Sequence, residues 1–170
     1  MTKIIPYTSN KRQTIIPMVA EFYAEHYSIS EYEHAEVTPE RMAAAEEDFD
    51  EWFEKDSPAV FFIEEDGEEA GLIFMAKHGG SVVWIENLYV KPEFRRRGIA
   101  TCAIGLAEEY AMDEMKAPAV NIDVIPQNID AIRLYHSLGY DTLHMITLRK
   151  HANGNNRTAP TKFLGHEFKI

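Results

Sequence analysis

The sequence has a single cysteine, Cys102, among its 170 residues. One thiol can form neither an internal disulfide nor a cysteine-built zinc site. No run approaches the 18 or so apolar residues of a membrane span. The opening stretch, MTKIIPYTSNKRQ, has no apolar segment long enough for a secretory signal. These absences lead us to expect a reducing, cytoplasmic setting and no membrane partner. Positive charge is also scarce: 17 Lys and Arg against 28 Asp and Glu leave a formal charge of −11. Phosphate backbones need a basic face, so nucleic acid is not an expected partner. A G-x-x-x-x-G-K-S/T loop is missing, which argues against a nucleoside triphosphatase. A G-x-G-x-x-G after the first strand is missing too, which argues against a dinucleotide fold. The seven histidines form no H-x-x-x-H pair, and no metal is expected. His26 and His34 read as ordinary surface histidines.

What is present is the composition of an ordinary globular domain, 45% hydrophobic and 26% charged. Residues 1–170 are read as one domain. The acids are unevenly placed: residues 31–70 hold 16 of them against Arg41 and Lys55. A solvated helix face and an acidic hairpin explain this run most simply. A field that attracts a cationic substrate is the sharper reading.

Hydrophobic periodicity and breakers divide the chain. KIIPYT (3–8) reads as a strand and 11–28 as a helix, with Pro17 acceptable only near its start. Thr38-Pro39-Glu40 opens a second helix that runs to about Lys55, where Ser57-Pro58 stops it. AVFFIEE and AGLIFMAK flank a turn at Asp66-Gly67 and predict a hairpin. SVVWIENLYV (81–90) is a nearly continuous apolar strand, expected to be central. A helix over 97–115, a strand at 119–125, a short helix capped by Asn128 and Gly139, a strand at 140–150, a polar loop at 151–160 and a last strand follow. One mixed α/β domain results.

One stretch breaks a local rule. Residues 95–100 read RRRGIA, with Arg95, Arg96 and Arg97 at the start of the helix over 97–115. A helix start carries partial positive charge, so three cations there have the wrong sign. An anion would resolve the conflict. Free amides point out of a helix start, Gly98 lets a bulky anion approach the main chain, and arginines add mobile charge. By itself the run fits a basic surface turn equally well.

The context decides. VWIENLYVKPEFRRRGIATCAIGLAEEYA closely resembles the acetyl-CoA-binding segment of the GCN5-related N-acetyltransferases, the GNAT superfamily. Arg95, Gly98 and Ala100 match its R/Q-x-x-G-x-G/A signature. NIDAIRLYHSLGYD resembles the family's later segment, which places Asn128, Ala131, Leu134, Tyr135, Gly139 and Tyr140. The resemblance implies a central mixed, mostly antiparallel sheet flanked by helices. It also implies acetyl transfer from acetyl-CoA to the amine of a small molecule or peptide. The pantetheine arm would lie against main-chain groups of Leu88, Tyr89 and Val90. The pyrophosphate would sit on the amides of residues 95–101, that is Arg95, Arg96, Arg97, Gly98, Ile99, Ala100 and Thr101.

The chemistry needs a base for the amine, a donor for the oxyanion and a proton or hydrogen bond for the departing thiolate. Glu86, in an apolar run with Trp84 and Leu88 expected on its own face, is the candidate base, its pKa raised by desolvation. A structural acid, paired with an arginine or set at a wet bulge, is the alternative. Tyr135 is the candidate acid by the resemblance, although its spacing with Ile132 and Leu138 also fits a core aromatic. A main-chain N–H near Leu88 or Tyr89 would hold the oxyanion, which requires a bulge in the strand. Asn128 caps its helix and could touch the cofactor. Asn121 and Asp123 share a strand face that could border the acceptor, or simply be solvated. Cys102 is expected to be a buried, inert thiol. A non-catalytic acyl-CoA-binding sensor is the runner-up function, and an interaction protein keeping only the fold is a third. A homodimer is compatible with the last segment crossing between subunits.

Overall fold

The computed structural model describes residues 1–31, 33–152, 157 and 159–170. It divides into two compact units, Met1–Asp123 and Val124–Ile170.

The first unit is built on a five-stranded sheet in the order β1-β2-β3-β4-β5. The strands are β1 Thr2–Pro6, β2 Asp56–Glu65, β3 Glu68–Lys77, β4 Val83–Val90 and β5 Val120–Ile122. β1 to β4 pair antiparallel and β5 joins β4 in parallel. The expected mixed, mostly antiparallel sheet is therefore present. β4 lies inside the sheet, although β3 holds its centre. The β2–β3 turn has Asp66 at φ 52° and Gly67 at φ 87°. That is the left-handed pair of a two-residue hairpin turn, as Asp-Gly predicts. Ser57 and Pro58 do not simply stop a helix; they begin β2. The β2–β3 register shifts between Asp56 and Ala59, so the N–H that proline lacks falls where the ladder is irregular.

Two helices cover one face. α1, Arg12–Glu31, carries Pro17 at its sixth position, where little of the preceding hydrogen-bond ladder is lost. α2, Pro39–Glu51, is capped by the Thr38 side chain, which accepts from the Arg41 N–H, and one 3₁₀ turn over Trp52–Glu54 completes the helix expected to reach Lys55. Ile15, Val19, Phe49 and Trp52 pack there on Val60, Phe62, Leu72, Phe74 and Tyr89. Trp52 stacks flat on Phe74 at 4.4 Å. α3, Ile99–Asp113, covers the other face, with Tyr110 meeting Phe61 edge-on at 4.9 Å. Gly71 lets β3 approach β4 closely: a Cβ there would stand 2.0 Å from the Tyr89 carbonyl oxygen.

The second unit contains α4, Ile129–Ser137, and a two-stranded hairpin. The Asn128 side chain accepts from the Ala131 N–H, and Gly139 takes φ 95°, as expected for the two ends of α4. Two expectations need correction. Residues 140–150 form no strand. Leu143 and Leu148 are 73% and 69% exposed, and an alternating pattern stays unordered when no ladder neighbour accepts its N–H groups. The last segment is also not one strand. It folds back as β6 Pro160–Phe163 and β7 His166–Lys169 around Leu164-Gly165. Part of the polar loop expected at 151–160, residues 153–156 and 158, lies outside the described residues.

Candidate active site

The site residues of the first unit lie on β4 and its exit. β4 pairs with β5 only at Val83–Val120, Trp84–Asn121 and Ile85–Ile122. From Glu86 to Val90, β4 keeps β3 but has no β5 partner in the ladder. The divergence coincides with a bulge. Phe74 pairs with Asn87 and Met75 with Ile85, so Glu86 is the extra residue. A bulge of one residue re-aims side chains and leaves main-chain groups out of the ladder. The required bulge is thus present, two residues before Leu88.

The bulge also corrects the expected faces. Paired residues share a face. Trp84 pairs with Ala76, and Asn87 with Phe74, both packed under α1 and α2; Leu88 pairs with Ile73 on the opposite face. Glu86 therefore does not share its face with Leu88. It points towards Lys55, whose Nζ is 4.0 Å away, and touches His78 Nε2. The imidazole of His78 stacks on Trp84 at 5.0 Å, nearly parallel. The alternative of a paired acid at a bulge holds in part, with His78 and Lys55 in place of an arginine. Asn87, beside it, is a buried polar side chain at 7% exposure. Tyr23 of α1 lies within electrostatic reach of Asn87, Glu86 and Asp48, and burial raises its hydroxyl above the ordinary tyrosine range.

The exit of β4 shows what the arginines do. Arg95 donates Nε–H to the Val90 carbonyl at 2.7 Å and grips both carboxylate oxygens of Glu25 at 2.5 and 2.6 Å. Its guanidinium lies over the Tyr89 ring. Tyr89 donates its hydroxyl to Glu21 at 2.9 Å, and burial together with that bond raises its pKa. Glu21 and Glu25 are one turn apart on α1, so the two contacts fasten α1 to the end of β4. Arg97 donates to the Glu93 carbonyl at 2.8 Å and covers Phe94. Arg96 is exposed. It takes φ 61°, which costs a non-glycine residue about 1–2 kcal/mol. Strain of this kind clusters where a loop is shaped for a ligand.

Gly98 caps α3 from the left-handed region, φ 78°, with no side-chain cap. The first helical bond runs from Cys102 N–H to the Gly98 carbonyl. The amides of Ile99, Ala100 and Thr101 therefore have no acceptor inside the helix. Nothing lies within 4 Å of the position a Gly98 Cβ would take. Open amides, a bare glycine and left-handed turns at Arg96 and Gly98 are the geometry that suits an anion.

A model of the Acetyltransferase (GNAT) family matches residues 20–140. The chain belongs to that family. Spermidine N(1)-acetyltransferase of Escherichia coli strain K12 is 28% identical over 112 residues, 65% of this chain and 60% of that protein. The GNAT chain thus matches about three fifths of the length of its curated relatives. Among solved structures, AAC(6')-Iy in complex with the bisubstrate analogue CoA-S-monomethyl-acetylneamine superposes with a TM-score of 0.63 at 19% identity, covering 89% of this chain and 99% of that one. The ribosomal-protein-alanine N-acetyltransferase from Brucella melitensis biovar Abortus 2308 gives 0.65 at 13%, covering 89% and 100%. These two establish the GNAT fold.

The bulge at Glu86, the unpaired run to Val90 and the open start of α3 lie in sequence one after another along the exit of β4. Asn128 and Tyr135 belong to the second unit. Asn128 spends its side-chain oxygen on the helix cap at 3.2 Å. Burial pushes the Tyr135 hydroxyl up to about 12. Asn121 sits on β5 beside Trp84, while Asp123 follows the strand and is exposed. Cys102 is exposed rather than buried, because it falls on the outer side of α3, opposite the buried Ala107 and Ala111. His26 and His34 are exposed, as expected. No cluster of metal-ligating side chains occurs among the described residues. Sequence reading missed His78, Asn87, Tyr23, Glu21 and Glu25. Only Asn87, a polar residue beside Glu86 in an apolar strand, left any signal.

Proposed function

We propose that this protein is an N-acetyltransferase that moves the acetyl group of acetyl-CoA directly to a primary amine of a small molecule or peptide. The observation that carries the reading is the cradle: β4 leaves β5 at a bulge and runs into a helix start with open amides and a bare glycine. The main chain of Leu88, Tyr89 and Val90 would hold the pantetheine arm. The amides around Gly98 would hold the pyrophosphate. Arg95 is committed to Glu25 and Val90, so its contribution is to shape the loop, and Arg96 and Arg97 are the exposed arginines.

In the reaction, the amine gives a proton to Glu86 and attacks the thioester carbonyl carbon. The C–N bond forms and the C–S bond breaks, with oxyanion charge held by an N–H beside the bulge. Tyr135 has its motif for support. A hydroxyl raised to about 12 keeps its proton at neutral pH, and a thiolate whose thiol titrates near 8.5 does not take it outright. By the resemblance, Tyr135 would donate a hydrogen bond to the leaving thiolate rather than transfer its proton.

The named relatives point to cationic acceptors, spermidine for one and an acetylneamine analogue for another. The acid-rich stretch at 31–70 suits such an acceptor. The alternative, a sensor that binds acyl-CoA without turnover, has no use for a carboxylate aimed from the bulge. Thiol release from acetyl-CoA against polyamines, aminoglycosides, amino acids and short peptides tests the proposal. Release with one class establishes the enzyme and its acceptor. Binding of CoA without release from any of them favours the sensor.

A further inference from the structure

One helix reaches both the bulge and the β4 exit. α1 packs on the sheet face that carries Tyr89. The Tyr23 hydroxyl interacts with the side chains of Trp52 and Asn87 and feels the charge of Glu86. Glu21 accepts the Tyr89 hydroxyl at 2.9 Å, and Glu25 accepts from Nη1 and Nη2 of Arg95 at 2.5 and 2.6 Å. Glu21 and Glu25, four apart, share a helix face, whereas Tyr23 is two residues from each and does not. One flank of α1 thus meets the bulge, and the other meets the exit loop.

That loop is strained. Arg96 holds φ 61°, and a non-glycine residue stays there only where its surroundings over-determine it. Its neighbours do so: Arg95 bonds the Val90 carbonyl and Glu25, and Arg97 bonds the Glu93 carbonyl. The open amides at the start of α3 follow directly. An anion on those amides and the Arg95–Glu25 pair therefore favour the same loop conformation. The Arg95 and Glu25 side chains are 35% and 39% exposed. An ion pair so open adds little to global stability, but a two-bond fork fixes direction. Its use is positional.

We infer that Glu25, with Glu21 beside it, is a positioning residue that couples the cofactor loop to the amine side of the bulge through α1. The inference rests on the acetyltransferase reading above. Cofactor on the loop tightens the clasp. The clasp holds α1, and with it Tyr23, over Asn87 and Glu86, where the amine gives up its proton. Two ligands that favour one arrangement of a shared element raise each other's affinity by the same factor. Neither glutamate touches a substrate in this scheme.

Calorimetry on the full chain tests the coupling, with CoA titrated in the presence and absence of the amine found active in the panel. CoA has no acetyl group to give, so the ternary complex does not turn over. In the wild type the amine is expected to tighten CoA about fivefold or more. Glu25→Gln is expected to abolish most of that gain, to weaken CoA and to raise the KM for the amine. Glu21→Gln is expected to move the same three quantities less far, and serves as the test if Glu25→Gln does not fold. Arg12→Ala frees α1 from Glu46 and Asp50, away from the exit loop. It is expected to lower the melting temperature and to leave CoA affinity and the coupling unchanged. Tighter CoA binding in Glu25→Gln would make Glu25 a competitor of the phosphates for Arg95 and overturn the inference. Coupling that survives Glu25→Gln, a wild type without coupling, or an equal loss in Arg12→Ala overturns it as well, while an active wild type keeps the acetyltransferase reading. A wild type that acetylates no amine in the panel overturns that reading and the coupling together.

Discussion

At the scale of single residues, the reaction turns on where protons sit. Glu86→Gln removes the only carboxylate aimed from the bulge, and a general base contributes about 10²–10⁴-fold to rate. The acid limb of the kcat/KM profile is expected to flatten, and an unmoved limb would assign the base elsewhere. If the proposed reaction holds, Tyr135→Phe removes one hydrogen bond to the developing thiolate, worth about 1.5–3 kcal/mol for a charged acceptor. Turnover is expected to fall about 10–100-fold while cofactor affinity holds. Stopped-flow binding measured beside steady-state rates separates the two, and an unchanged rate would return Tyr135 to a packing role.

At the scale of elements, the β4–α3 junction separates two tasks that the sequence runs together in RRRGIA. Gly98 leaves the approach to the amides open, and Arg95 ties the loop to α1. In Gly98→Trp the added Cβ meets no atom within 4 Å, so the fold is expected to survive with a left-handed penalty of about 1–2 kcal/mol. CoA binding by calorimetry is expected to vanish; unchanged affinity would place the pyrophosphate elsewhere. Arg95→Ala acts differently. It strips Glu25 of both bonds and frees the Val90 carbonyl. It is expected to lower the melting temperature and to weaken CoA less than Gly98→Trp does. The reverse ranking would make Arg95 a phosphate ligand after all.

For the molecule as a whole, charge is less lopsided in space than along the chain. Arg12 pairs with Glu46 and Asp50, Lys11 with Glu69, Lys3 with Glu64, and the amino terminus with Glu65 and Asp66. Six of the 16 acids in 31–70 are thus tethered to four positive charges in the first dozen residues, which weakens the long-range field only in part. The tyrosines set an alkaline limit. Tyr23, Tyr89 and Tyr135 are all raised from 10 in the fold, burial being the largest cause for each. A raised folded pKa means the native state holds its proton while the unfolded chain loses one. The associated stability is complete below pH 10 and declines as pH rises through the folded values. Denaturant midpoints are expected to fall steadily above pH 10. A flat midpoint to pH 12 would mean the hydroxyls are as free in the fold as in the unfolded chain.

Local chemistry determined a good deal. Thr38 and Asn128 cap helices because their oxygens accept a nearby N–H. Asp66-Gly67 turns because both residues tolerate positive φ. The R-x-x-G-x-A signature locates the helix start because only a bare backbone there leaves amides open. Each of these interactions closes within a few residues, so the sequence contains both partners. Non-local pairing decided the rest. Residues 140–150 alternate like a strand and form none, since alternation supplies faces but no ladder neighbour. The bulge at Glu86 arises from a one-residue mismatch with β3, and it alone brings Asn87 to the face of Trp84 and turns Leu88 to the other. Arg95 meets Glu25 across 70 residues, and His78 meets Glu86 only because β3 and β4 bring their turn beside the bulge. Such contacts depend on register between distant strands and helices, which single-chain periodicity does not encode.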